Sequence, residues 1–142
     1  MNRRLLTAIS RAHVALYRAS RGRVGGRIPS GAPVLLLTTT GRKSGKQRTL
    51  PLLYLEDAGR YVVVASVGGA PKHPAWYLNL VANPTSTIEV GRRKLGVTAT
   101  TASAEERTRL WPLLVGMYGA YEDYQAKATR EIPVVILAPR PS

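Results

Sequence analysis

Four cations crowd seven residues of one short turn: Arg42, Lys43, Lys46 and Arg48. They lie within the run Thr38-Thr39-Thr40-Gly41-Arg42-Lys43-Ser44-Gly45-Lys46-Gln47-Arg48-Thr49-Leu50-Pro51-Leu52. The planar forks of arginine match phosphate or carboxylate oxygens, and lysines add compact point charges. Gly41 and Gly45 allow positive φ and let backbone N–H groups come close to an anion. The turn therefore suits a ligand carrying several negative charges, although a solvated basic hairpin has the same composition. It is not a Walker loop: Gly41 to Gly45 is one residue too short, and Gln47 stands where Ser or Thr would follow the lysine.

Little else in the chain could do chemistry alone. The absence of Cys excludes a disulfide framework and thiolate catalysis, and two histidines, His13 and His73, exclude a His-rich metal cluster. Ser44 and Ser66 have no sequence-local base, which leaves a triad through His73 open only as a spatial arrangement. Of the eight acids, Glu105 and Glu106 sit in a capping box and Glu122-Asp123 in an exposed turn. An enzyme of this composition would draw its reactivity from a bound cofactor.

The elements that must position the turn follow from pattern. A chain of 142 residues, 44% hydrophobic and 20% charged, is one domain with a core. Its net charge of +13 is concentrated in residues 1–60, which carry +10. Nucleic acid, an anionic membrane and a polyanionic small molecule all fit that charge. Over 3–19, Leu5, Ile9, Ala12 and Leu16 recur at helical spacing, with Leu6, His13 and Tyr17 alongside and Arg4, Arg11 and Arg18 on another face. The arginines exclude a membrane-spanning helix, and no uninterrupted apolar stretch forms a secretory signal. Residues 1–22 read as a basic amphipathic helix that either packs on the domain or lies on an anionic membrane. The 20–33 stretch, with Gly22, Gly25, Gly26, Gly31, Pro29 and Pro33, wraps rather than folds.

Strands are predicted at 33–40, 48–56 and 60–67, the last pair turned at Asp57-Ala58-Gly59. Pro74 opens a short helix carrying Trp76, Tyr77 and Leu80, ended by Asn83-Pro84. A hairpin over 87–100 turns near Gly91-Arg92. Ser103-Ala104-Glu105-Glu106 caps a helix running to Met117, whose end Gly116 and Gly119 weaken. Tyr118, Tyr121 and Tyr124 follow at i, i+3, i+6, and a last strand covers 132–137. Six strands with inserted helices give an α+β fold, a small, mostly antiparallel barrel over 23–142.

The run Thr40-Gly41-Arg42-Lys43-Ser44-Gly45 followed by Arg48-Thr49-Leu50-Pro51-Leu52 resembles the signature of the deazaflavin (coenzyme F420)-dependent nitroreductase family of actinobacteria. Ser66-Val67-Gly68-Gly69-Ala70-Pro71-Lys72-His73-Pro74-Ala75-Trp76-Tyr77-Leu78-Asn79-Leu80, closed by Ala82-Asn83-Pro84, is similar to that family's second signature. The resemblance runs from about Tyr17 to Pro139 and implies a split β-barrel.

It also implies coenzyme F420, whose phosphodiester and oligoglutamate tail would account for the basic turn. By the resemblance, Arg42, Lys43 and Ser44 cradle the phosphate, and Lys46 and Arg48 reach the phosphate or tail. Pro51 and Leu52 lie against the ring system; Ser66, Gly68 and Gly69 admit the deazaflavin head; Trp76 walls the cavity, though it also reads as core. The implied reaction is hydride transfer from the reduced deazaflavin to a quinone, nitroaromatic or activated alkene. Tyr124, or Tyr121 a turn away, would donate to the charge developing on the acceptor; the same spacing also describes a packing stripe. One departure stands out: Val67 occupies a position where many relatives carry Lys.

The rival readings are a split barrel holding flavin mononucleotide and a basic nucleic-acid-binding barrel without catalysis. The first would leave two of the four cations idle. The second lacks stacking aromatics, since residues 1–60 contain only Tyr17 and Tyr54. The expectation is therefore a monomeric cytoplasmic enzyme with a small-molecule acceptor and no nucleic-acid partner. Peripheral contact with the inner face of the membrane through residues 1–22 would suit a lipid-soluble quinone.

Overall fold

The computed structural model describes residues 3–23, 25–29, 31–66 and 72–141, with side chains from Ser10 onward. Val67, Gly68 and Gly69 lie outside the described residues, as do the side chains of Leu5, Leu6 and Ile9. The chain runs α1 (Arg3–Ala19), β1 (Val34–Thr40), β2 (Gln47–Leu53), β3 (Leu55–Asp57), β4 (Arg60–Val64) and α2 (Ala75–Ala82). It continues with β5 (Thr85–Val90), β6 (Arg93–Thr101), α3 (Ala104–Met117), α4 (Ala120–Lys127) and β7 (Val134–Pro139).

All strands join one antiparallel sheet in the order β2-β1-β5-β6-β7-β4-β3. The two edge strands, β2 and β3, are separated in sequence by Tyr54 alone. Edges that far apart in the order and that close in the chain meet only if the sheet curls onto itself, which makes the split barrel. This is also why the strand expected over 48–56 is two strands. Up to Leu53 it pairs with β1, and from Leu55 it pairs with β4. The described residues thus hold seven strands rather than six.

Alternation sorts the apolar residues into an inner and an outer core. Leu35 and Leu37, Tyr61 and Val63, and Val135 and Leu137 face inward, where Trp76 and Leu80 of α2 join them. Their neighbours Val62, Val64, Val134 and Ile136 face outward under Leu110 and Leu114 of α3 and Tyr121 of α4. Val34 and Leu36 face outward under α1. β1 and β4 read as unbroken apolar runs because both of their faces are covered.

Helix α1 docks along the flank of its apolar stripe that carries His13 and Tyr17. Val14 and Tyr17 are buried, whereas Ala12 and Leu16 of the expected stripe are exposed, Leu16 by 56%. The reason is specific bonding. The Tyr17 hydroxyl donates to Val34 O at 3.0 Å or Glu89 O at 3.2 Å and accepts from the Gly91 N–H at 2.7 Å. Arg18 forks onto Glu89, and His13 Nε2 bonds Gly25 O at 2.8 Å, which holds the wrap against the helix. At Gly22 a Cβ would come within 2.7 Å of Gly91 Cα, so the wrap crosses the β5–β6 turn at a distance only glycine allows.

The other local signals hold with small shifts. Ser103 Oγ accepts from the Glu106 N–H at 3.2 Å, as a capping box requires. Ala58 and Gly59, both at positive φ, make the two-residue β3–β4 turn. Ile132 is fully buried but precedes β7, which begins at Val134.

An ionic knot fastens that hairpin to α3. Arg109 forks onto Asp57 at 3.0 and 2.8 Å, and Arg60 reaches Asp57 at 2.8 Å and Glu106 at 3.2 Å. Arg109 first, then Arg60, hold the Asp57 carboxyl well below the usual carboxylate range. A depressed folded pKa contributes stability above the unfolded value of about 3.9 and loses it as pH falls through the folded value. The stability difference between wild type and Asp57→Asn should accordingly be constant above about pH 5 and shrink below it. Urea unfolding between pH 3 and pH 6 reads this directly; a difference unchanged at pH 3 would contradict it.

Candidate cofactor site

The basic turn is rigid where the sequence supplies glycine. Gly41 N–H donates to Lys46 O at 2.8 Å, and Gly45, at φ +72°, donates back to Gly41 O at 2.9 Å. The Lys46 N–H bonds Ser44 Oγ at 3.2 Å, and a Cβ on residue 41 would stand 2.6 Å from that oxygen. This closure leaves the N–H groups of Lys43 and Ser44 with no partner among the described residues. Two free N–H groups beside exposed cationic side chains form an anion cradle.

Helix α2 meets the cradle from the barrel's mouth. Asn79, buried in a helix of apolar neighbours, accepts at Oδ1 from the Arg42 N–H at 3.1 Å and from Arg42 Nη1 at 3.2 Å. Its Nδ2 donates to Thr39 Oγ1 on β1 at 3.1 Å. Next to this contact opens a cavity of about 660 Å³, lined by Arg42, Lys43, Ser44, Arg48 and Leu50 of the turn and β2 and by Trp76 and Asn79 of α2. Its size is that of a small-molecule site. Among the described residues no acid lines it.

Arg42, Lys43, Ser44, Arg48 and Trp76 are therefore brought together. Lys46 belongs to the same turn without lining the cavity, and Pro51 and Leu52 lie further along β2, whose contribution is Arg48, Thr49 and Leu50. Trp76 is both core and wall: 7% exposed, it packs in the inner cluster and borders the cavity. Ser66 is half-buried at the end of the described run that follows β4, before Gly68 and Gly69, which lie outside it.

The tyrosines sit elsewhere. Tyr121 and Tyr124 belong to the outer cluster, across the sheet from Trp76. Tyr121 is buried, and burial first, then the neighbouring Tyr118 and Tyr124, push its hydroxyl well above the usual phenol value. Tyr124 is half-buried, with its hydroxyl 3.4 Å from that of Tyr118. Beyond α4, Arg130 donates to Lys72 O at 3.1 Å and to Ala65 O at 3.5 Å. His73 packs against Tyr77, with ring centroids 5.0 Å apart and planes tilted by 56°, and burial, then Arg130, hold it below the usual histidine value.

Sequence reasoning passed over Asn79. A signal was present, since Trp76 and Asn79 at i, i+3 share a helix face, and a lone amide inside Ala-Trp-Tyr-Leu-Asn-Leu-Val-Ala needs a partner.

The donor set fits a phosphate-bearing, flat cofactor: three cations and two free N–H groups for the anion, Leu50 and Trp76 for an apolar ring, and no carboxylate to repel charge. A split barrel with this site is a deazaflavin-dependent oxidoreductase, and coenzyme F420 is its cofactor. Residues 9–139 match the F420H(2)-dependent quinone reductase family, and the chain belongs to that family.

It is 42% identical to the F420H(2)-dependent quinone reductase Rv1261c of Mycobacterium tuberculosis, over 99% of this chain and 96% of that one. Among solved structures it is similar to an F420-H2 dependent reductase, FDR-A, at 49% identity and a TM-score of 0.69, covering 74% of this chain and 93% of the other. It is also similar to a domain-swapped dimer at 42% identity and a TM-score of 0.72, covering 89% and 93%. The haem storage protein HutZ of Vibrio cholerae, at 14% identity and a TM-score of 0.59 over 92% of this chain and 90% of that one, shares the fold alone.

Proposed function

We propose that this chain reduces a quinone-class acceptor at the cavity between the basic turn and α2. The observation that carries the proposal is the cavity itself, which brings Arg42, Lys43 and Arg48 together with Leu50 and Trp76 and has no acid among its described lining residues. F420, when bound, supplies a hydride. Arg42, Lys43 and the free N–H groups of Lys43 and Ser44 bind its phosphate, with Arg48 and Lys46 toward the tail. Leu50 and Trp76, with Leu52 and Pro51 beyond, orient an apolar ring and exclude water. Ser66, Gly68 and Gly69 complete the approach to the head. The test is the return of oxidised deazaflavin absorbance when protein loaded with reduced F420 meets a menaquinone analogue. If absorbance returns no faster than without protein, the reading fails.

Of the two tyrosines, both across the sheet from Trp76, Tyr124 is the one proposed to donate to a developing negative charge, because it is half-buried whereas Tyr121 is buried in the outer core. Arg130, three residues beyond α4, donates to Lys72 O. Losing a hydrogen bond to a charged group costs about 10- to 100-fold in rate. Tyr124→Phe should lower kcat by that factor without changing F420 affinity, whereas Tyr121→Phe should change kcat less than about threefold. Stopped-flow turnover separates the two.

Peripheral membrane contact belongs to the same proposal. Among the described residues no helix is long and apolar enough to cross a membrane. The exposed Leu16 of α1 supports contact with a membrane surface instead, with the exposed Arg11 on another face of the helix. Flotation with anionic liposomes tests it, and protein that stays wholly in the aqueous fraction counts against it. A monomer is the working unit of this proposal. The domain-swapped dimer of a relative makes an exchanged dimer the alternative that light scattering resolves.

A further inference from the structure

We propose that Asn79 is the positioning residue of the cofactor site: it fixes Arg42 for the anion and couples that grip to the helix that walls the cavity. The inference rests on the cofactor assignment above and concerns how the phosphate is held. Asn79 has one acceptor oxygen and one NH2, and all of its side-chain bonding is directed to the site. The oxygen takes the main-chain N–H and Nη1 of Arg42, and the NH2 goes to Thr39 Oγ1. The orientation of the amide is fixed by its surroundings, since turning it over would set the NH2 against two donors.

Arg42 itself is exposed, and its only side-chain hydrogen bond within the described residues is this one. A free arginine at that position would sample many rotamers and lose that freedom on binding. Held at its backbone and at Nη1 by the same oxygen, it keeps Nε and Nη2 for an anion with less entropy left to lose. The clamp also joins three elements. Thr39 belongs to β1, Arg42 to the turn, and Asn79 to α2 one turn after Trp76. Asn79 is buried to 6% exposure and Thr39 to 2%, so the clamp is shielded from water on the side away from the ligand.

A merely structural asparagine would weaken everything the site binds. A positioning asparagine should weaken only what Arg42 holds. The discriminating pair of probes is F420 and its deazaflavin chromophore lacking phosphodiester and tail. Asn79→Leu keeps the volume while removing the partner of the Arg42 N–H and of Thr39 Oγ1, and a thermal melt checks that it folds. It is expected to raise the Kd for F420 about 10- to 100-fold and to leave the Kd of the tailless chromophore unchanged. In an Arg42→Ala background the same substitution should weaken F420 no further, since the two residues act as one unit. Thr39→Val, which keeps shape but removes the acceptor for Nδ2, should give a smaller loss of the same selectivity. It also serves if Asn79→Leu fails to fold.

Equal losses for the two probes, or additive losses in the double variant, would overturn the proposal. Wild-type protein that does not bind F420 at all would overturn the cofactor assignment instead, and this inference with it.

Discussion

Replacing Arg42 and Lys43 together by alanine is expected to weaken F420 binding by about two to three orders of magnitude, because each charge-assisted contact contributes roughly 1.5–3 kcal/mol. The effect should be large because the cavity holds no carboxylate with which those cations are already paired. Lys43 makes no ion pair among the described residues, and Arg42 bonds only the neutral Asn79. Their charge is therefore fully available to an anion. The fold should survive, since Asn79 still accepts from the residue 42 N–H and the glycine bonds of the turn are main-chain. The salt dependence of binding should flatten in the variant, as fewer exposed charges remain to be screened. Fluorescence titration at two ionic strengths measures both effects, and a loss smaller than about tenfold would remove the turn from the phosphate site.

Trp76→Ala should carry the second large effect, and on two quantities at once. The ring is 7% exposed, belongs to the inner core with Leu35, Leu37 and Val63, and borders the cavity. Truncating a buried Trp costs about 3–5 kcal/mol, a large fraction of a single domain's stability. The barrel strands around it are pinned by their ladders and cannot collapse to fill the gap. Urea unfolding of the cofactor-free protein reads the core share. Trp76→Phe, which keeps most of the packing, isolates the wall: stability should fall by less than half as much while turnover still drops. A loss below about 1 kcal/mol for Trp76→Ala would mean that the ring is a wall alone.

The ease with which parts of this protein could be read depends on how local their causes are. The basic turn was legible because glycine positions, charge and flanking strands all lie within fifteen residues, and the structure closes it with main-chain bonds among those same residues. The capping box at Ser103 and the Ala58-Gly59 turn are equally local. The two signature runs carried the cofactor and the family for a similar reason, since they are strings of adjacent residues.

Other features depended on partners far away in sequence. Helical spacing alone marked Ile9, Ala12 and Leu16, but the face that docks was settled by what Tyr17 finds 17 and 74 residues away, at Val34 and Gly91. The break at Tyr54 has no local cause: Leu53 and Leu55 differ in which strand lies beside them once the sheet has curled. Tyr121 and Tyr124 keep helical spacing whichever side of the sheet they occupy, and only the packing of α4 on β4 and β7 puts them in the outer core.

By itself, then, the sequence determined the chemistry on offer: a polyanion-binding turn, apolar strands for a barrel, and no nucleophile or metal set of its own. Tertiary structure decided which of those groups meet. Asn79 reaches Arg42 across 37 residues, and Trp76 faces Leu50 and Arg48 from a separate helix. Those meetings depend on the curl of the sheet and the seat of α2 at its mouth. Such long-range pairings are stabilised collectively by the core, and no short run of residues encodes them.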